Sequence, residues 1–296
     1  SGSYSVFFND MGSKLSSFQV KATTGPGFSG TLLADWTDAA LNINAEDFNA
    51  PWQLPVSVFE SIPENTTTYI SVRVYDNNGN YTVDDDVFYV KRDTTPPQID
   101  NYAVSPAGWQ ASDPGAVFDV DFADALSGLS AVQYSASRTV GSANGNILGW
   151  TAIDAIVSSP SYASLWGVSF ASLEDSATNY ISVKAVDAAG NYAVLADAFR
   201  ILKNTRGPVV TVTAPSAEFV SSLSAIAGST AKAVETSDVA GTQLSLQRRS
   251  DEKYWSSSDY DSSSPVWLVP SAPESWTLNV STFVFVNRSS YSIVAR

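Results

Sequence analysis

The sequence predicts an all-β chain of three tandem sandwich units. Three observations carry this. First, a phrase recurs: "YISVRVYDNNGNY" (residues 69–81) returns as "YISVKAVDAAGNY" (180–192), 111 residues later, and the chain closes on "YSIVAR" (291–296), part of a third copy. Second, each copy alternates. Ile70, Val72 and Val74, like Ile181, Val183 and Ala185, are separated by single residues, the period of a half-buried strand. Third, charged residues are only 16% while hydrophobic ones reach 44%, with Ser, Thr, Ala and Val filling the gap, and this favours strands and turns over helices.

The repeat orders the rest of the chain. Offset 111 carries Asp76 to Asp187, Gly79 to Gly190, Phe88 to Phe199 and Pro97 to Pro208. Earlier in each unit the offset is 114, taking Leu15 to Leu129, Trp36 to Trp150 and Trp52 to Trp166. In the third unit Trp267 and Trp276 take the two Trp places, and "TQLSLQR" (242–248) is set against "LSAVQYS" (129–135). At the end, Arg296 matches Lys184 at offset 112, which keeps the alternation in phase. The Pro-bearing links "KRDTTPPQI" (91–99) and "KNTRGPVV" (203–210) lack donors and favour extended backbone. The expected units are therefore 1–95, 96–206 and 207–296.

Within a unit, the recurring phrase reads as the first strand and turn of a hairpin. "DNNGN" and "DAAGN" supply Asp, Asn and a glycine (Gly79, Gly190) for a positive-φ turn position. "YTVDDDVFYVK" and "YAVLADAFRIL" follow as returning strands. Short strands at this spacing in units of about 100 residues describe an immunoglobulin-type sandwich. Set against the second unit, the first lacks its opening strand and the third its closing one. Two expectations account for this: a fragment of a longer protein, or subunits of a filament that complete each other by strand exchange.

Composition excludes much. Thirty acids against 16 bases give a net charge of −14, which repels nucleic acid and anionic lipid and attracts divalent cations. No apolar run is long enough for a membrane span. The chain has neither Cys nor His, so disulfides, thiolate zinc sites and the usual nucleophile–base pairs are unavailable. The carboxylates are spread over turns and recur with the repeat, whereas a catalytic pair is expected once. The chain is read as a non-enzyme.

The pattern "W…W…YISVKAVDAAGN" followed by "TTPP" resembles the tandem immunoglobulin-like or fibronectin-III-like repeats of large bacterial extracellular proteins. The third unit's "LQRRSDEKYWSSSDYDSSSPVWLVP" (246–270) resembles a variant of them. The resemblance implies an elongated array at the cell surface, serving as stalk, adhesin or filament. It implies partners among neighbouring repeats or subunits, with a glycan or surface protein as the adhesive alternative.

The candidate sites follow. Trp36, Trp150 and Trp267, and Trp52, Trp166 and Trp276, recur in register and are expected between the sheets. Trp109 and Trp255 have no counterpart and are the candidates for stacking on a sugar or protein, against a loop-anchoring role. Asp76 and Asp187 open the recurring turn, where an Asx-turn is the plain role. With the linker acid Asp93 they are also candidate calcium ligands, since hard cations take carboxylate oxygens. The acidic turn "FADALSG" (122–128) presents the same choice.

Overall fold

The computed structural model describes residues 2–155, 159–232 and 238–296. They form an almost wholly β protein whose apolar side chains gather into three separate cores, drawn from residues 18–90, 118–201 and 226–280.

The first stretch contains β1 (Phe8–Asn9), β2 (Leu15–Thr23), β3 (Leu32–Ala45), β4 (Asp47–Phe48), the short helix α1 (Val56–Ser61), β5 (Thr67–Asp76) and β6 (Tyr81–Lys91). A four-stranded sheet runs β3-β2-β5-β6, and β1 pairs with β4. Phe18, Val20, Ile70 and Val72 point inward and are at most 2% exposed, because period two sends one face of β2 and β5 to the core.

The second stretch contains β7 (Gln98–Asn101), β8 (Trp109–Gln110), β9 (Val120–Ala123), β10 (Leu129–Ser137), β11 (Leu148–Asp154), β12 (Ser161–Tyr162), β13 (Ala177–Asp187) and β14 (Tyr192–Lys203). Its sheets run β11-β10-β13-β14-β8 and β12-β9-β7. The recurring phrase is a hairpin in both stretches: β5 pairs antiparallel with β6, and β13 with β14. Gly79 and Gly190 close the turns at φ +86° and +96°, which a side chain opposes. Opposite α1 by the 114-residue offset lies a single helical turn at Phe170–Ser172. Its carbonyl ends are held by the buried Lys203, whose Nζ donates to Phe170 O (2.9 Å), Leu173 O (2.8 Å) and Ala171 O (3.3 Å). Arg92, the equivalent residue in the first stretch, donates to Ile62 O.

The third stretch contains β15 (Val209–Ala214), β16 (Ala225–Ala231), β17 (Leu244–Arg248), β18 (Lys253–Trp255), β19 (Tyr260–Ser262), β20 (Ser275–Asn279) and β21 (Tyr291–Ala295), in sheets β15-β16-β20 and β19-β18-β17-β21. One sequence register is corrected here. Gln243 and Arg296 exchange both backbone hydrogen bonds at 2.9 Å, as Gln133 lies opposite Lys184, so Gln243 takes the place of Gln133. The expected match of 242–248 to 129–135 is out of phase, because Leu244 and Leu246 point into the core.

The six recurring Trp residues divide into two sets. Trp52, Trp166 and Trp276 are at most 7% exposed and sit in the three cores. Trp36, Trp150 and Trp267 do not lie between the sheets, which corrects the expectation for them. They are half-buried on the opposite face, each with a cation over its ring: Arg73 at 4.5 Å, Lys184 at 4.8 Å and Arg296 at 3.8 Å. Recurrence reported a repeated contact, and the contact is cation on aromatic ring rather than sheet on sheet.

Candidate metal centre

Three carboxylates converge where the first linker meets the second stretch. Asp93 comes from the linker, Asp124 from the turn after β9, and Asp187 from the end of β13. One ligand oxygen from each lies within 4.8 Å of the others. Asp124 is 4% exposed and Asp187 1%, while Asp93 is half-buried.

Backbone geometry fixes each residue. Asp124 Oδ1 accepts three N–H groups, from Leu126 (3.2 Å), Ser127 (2.9 Å) and Gly128 (2.7 Å), the closed Asx-turn that "ADALSG" encodes. Its Oδ2 receives no hydrogen bond among the described residues. Asp187 Oδ1 accepts the Asn191 N–H (2.8 Å) and its Oδ2 the Asn191 side-chain amide (2.7 Å), across the hairpin turn. Asp93 Oδ1 accepts the Thr95 N–H and its Oδ2 the Ser127 N–H, at 3.0 and 3.1 Å, while its carbonyl accepts from Asn191 Nδ2. The linker is thus stitched to the second stretch. From the other side, Glu64 accepts from Thr94 and Thr95, and Asn65 donates to Arg92 O. Those hydroxyl hydrogen bonds hold the Glu64 carboxyl below its usual range. Beside the cluster a cleft of about 330 Å³ is lined by Asn65, Arg92, Asp93, Leu126 and Ser127, among others.

No ion pair to any of the three carboxylates occurs among the described residues. Two buried carboxylates and a half-buried third, all oxygen donors and without a basic partner, suit a hard cation. Asp124 Oδ2, which accepts no hydrogen bond among the described residues, leaves a carboxylate oxygen free for such a cation. Calcium fits this donor set better than magnesium, because it takes carboxylates in flexible geometry and gives up its water more readily.

The sequence-level ligand set is thereby redistributed. Asp93 and Asp187 meet, and Asp124, from the acidic turn at 122–128, is the third member. Asp76 does not join them. It lies at the equivalent turn of the first stretch, where Oδ1 accepts from the N–H groups of Asn78 and Asn80, and Oδ2 from Asn80 Nδ2 (2.7 Å) and Ser13 Oγ (2.8 Å). The Asn80 side chain, with help from Ser13, brings its pKa down to about 2. Asp10 stands where Asp124 stands in the second stretch, with Ser13 Oγ 2.9 Å from its Oδ2.

The two unmatched Trp residues also find their places. Trp109 is half-buried in β8, which pairs parallel with β14 at the sheet edge. Trp255 corrects the binding expectation: it is 2% exposed, stacked on Phe283 at 4.2 Å and edge-on to Tyr260 at 5.2 Å. Enclosed on both sides, it has no face for a ligand. Lys253 and Tyr254 are half-buried, and the register shift between Tyr254 and Trp255 sets Trp255 into the third core.

No family model and no curated protein matches the chain. Among solved structures, it is similar to one described as structural insight into host cell surface retention of a 1.5-MDa bacterial ice-binding adhesin. The identity is 16%, over 95% of this chain and 80% of that one, with a TM-score of 0.28. A second is a tetra-tandem repeat in the extending region of a large adhesion protein, at 15% identity over 97% of this chain and 67% of that one, with a TM-score of 0.30.

Proposed function

We propose that this chain is a non-catalytic, load-bearing segment of an extracellular surface protein, built of three immunoglobulin-like units (1–95, 96–206 and 207–296). Calcium at Asp93, Asp124 and Asp187 clamps the first unit to the second. The observation that carries the proposal is the origin of the three carboxylates. Two belong to turns of the second unit and one to the linker, so a shared cation fixes the angle between units rather than activating a substrate. The Pro-bearing linker, gripped by Glu64 on one side and by Ser127 and Asn191 on the other, is already short and directional. Without His or Cys, the usual nucleophile–base pairs are unavailable to it.

Small-angle scattering of the chain in calcium and in chelator tests this directly. Calcium is expected to narrow the distribution of maximum dimensions toward one extended form. A compact particle in both conditions, or identical profiles, overturns it.

A further inference from the structure

The Trp-bearing face of the second unit is less filled than that of the first, and this opens a cleft. In the first, Arg73 is enclosed. Its guanidinium lies 4.5 Å from the Trp36 ring centre, 5.3 Å from Tyr75 and 5.5 Å from Tyr81, and donates twice to Gln19 Oε1. Tyr75 and Tyr81 face each other across β5 and β6. In the second, Gln133, Trp150, Lys184 and Tyr192 hold the same places, but Val186 stands where Tyr75 stood, paired with Tyr192. The missing ring, with Lys184 in place of the larger Arg73, leaves a cleft of about 300 Å³ lined by Asn144, Trp150, Lys184, Val186, Tyr192 and Val194. Tyr192 is 65% exposed and Val194 41%.

The chemistry of this cleft is specific. Trp150 and Tyr192, both lining it, offer flat apolar surfaces suited to the C–H faces of sugar rings. Lys184 Nζ stands 4.8 Å over the Trp150 ring and forms no ion pair among the described residues, although acids outnumber bases 30 to 16. Asn144 adds an amide for hydroxyl groups. An unpaired ammonium on an acidic protein, in a cleft that two aromatic rings also line, complements a ring that carries its own negative charge. A volume near 300 Å³ is at the lower end for small-molecule sites and suits one or two rings.

We propose that this face of the second unit binds glycans containing a carboxylate-bearing pyranose, with Trp150 and Tyr192 stacking on the rings and Lys184 pairing with the carboxylate. The first unit, with Tyr75 closing its cage, does not bind them.

Isothermal titration of the full chain, in chelator so that no cation bridges ligand to the Asp93 cluster, tests this with three probes: trigalacturonate, 3′-sialyllactose and neutral cellotriose. At least one acidic probe is expected to bind, and cellotriose at least about tenfold more weakly. Whichever acidic probe binds identifies the source of the carboxylate. Lys184→Met and Val186→Tyr are each expected to weaken binding about tenfold or more while leaving the melting curve close to wild type, since Met keeps the stem and Tyr is already tolerated at the matching place in the first unit. Tyr75→Val is expected to leave binding to the second unit unchanged. The proposal is overturned if neither acidic probe binds, if cellotriose binds equally, or if Lys184→Met and Val186→Tyr bind as wild type.

Discussion

Replacing Asp124 by Asn should reverse the sign of its effect on stability when calcium is removed. Asp124 and Asp187 are both buried, with ligand oxygens no more than 4.8 Å apart. At an effective dielectric of about 20, two unit charges at that distance repel by roughly 3.5 kcal/mol. A bound dication removes that cost, and a ligand at a hundred times its Kd adds about 2.7 kcal/mol of stability. For a unit of this size that corresponds to a rise in Tm of about 10 °C. Asn keeps the Oδ1 acceptor for the three turn N–H groups and discards the charge at the position of Oδ2. The expected result in 1 mM calcium is therefore a variant that melts below wild type. In chelator it melts level with wild type or above it, because one like charge has gone. Differential scanning calorimetry in the two buffers, with magnesium as a third, reads the effect. Identical melting of wild type in calcium and chelator refutes the reasoning, and so does a variant that keeps the full calcium response.

Trp166→Ala should cost about 3–5 kcal/mol in urea unfolding, as expected for an emptied core site, while Trp150→Ala should cost about 1 kcal/mol, the scale of a surface cation–ring contact; equal losses would mean that the two sets of Trp do not differ as described. Lys203→Met should cost about 2–3 kcal/mol, because the carbonyls of Phe170 and Leu173 lose a charged donor in a buried place; a neutral result would refute the capping role. Asp76 has a folded pKa of about 2 against 3.8, so its contribution to stability is present above about pH 4 and is lost as pH falls through about 2. A carbon-detected NMR titration placing its midpoint near 4 would contradict the hydrogen-bonding pattern at Asn80 and Ser13.

Much of the fold was legible along the chain because it is periodic. Alternation in "YISVKAVD" named the inward residues Ile181, Val183 and Ala185, and "DAAGN" named the turn with its positive-φ glycine, since both depend on residues close in sequence. The repeat also identified which Trp residues are equivalent. It did not say which face each occupies, because equal spacing conserves a contact without specifying it. Trp255 stood as a candidate for ligand stacking for a related reason: its stacking partner Phe283 lies 28 positions away, beyond the reach of any local pattern.

The acidic cluster divides the same way. The sequence by itself determined that carboxylates sit at recurring turns, that the chain offers only oxygen donors to a cation, and that the linker carries an acid of its own. Which carboxylates meet was a matter for the tertiary structure alone. Asp76 and Asp187 are equivalent in the repeat, yet only Asp187 has Asp93 beside it, because the linker docks onto the second unit through Ser127 and Asn191. Likewise Val186 in the place of Tyr75, with Lys184 in the place of Arg73, separates an open cleft from a filled one. Side-chain convergence across strands and linkers depends on distances that sequence spacing does not encode, so the local turn is readable along the chain and the site appears only when the chain has folded.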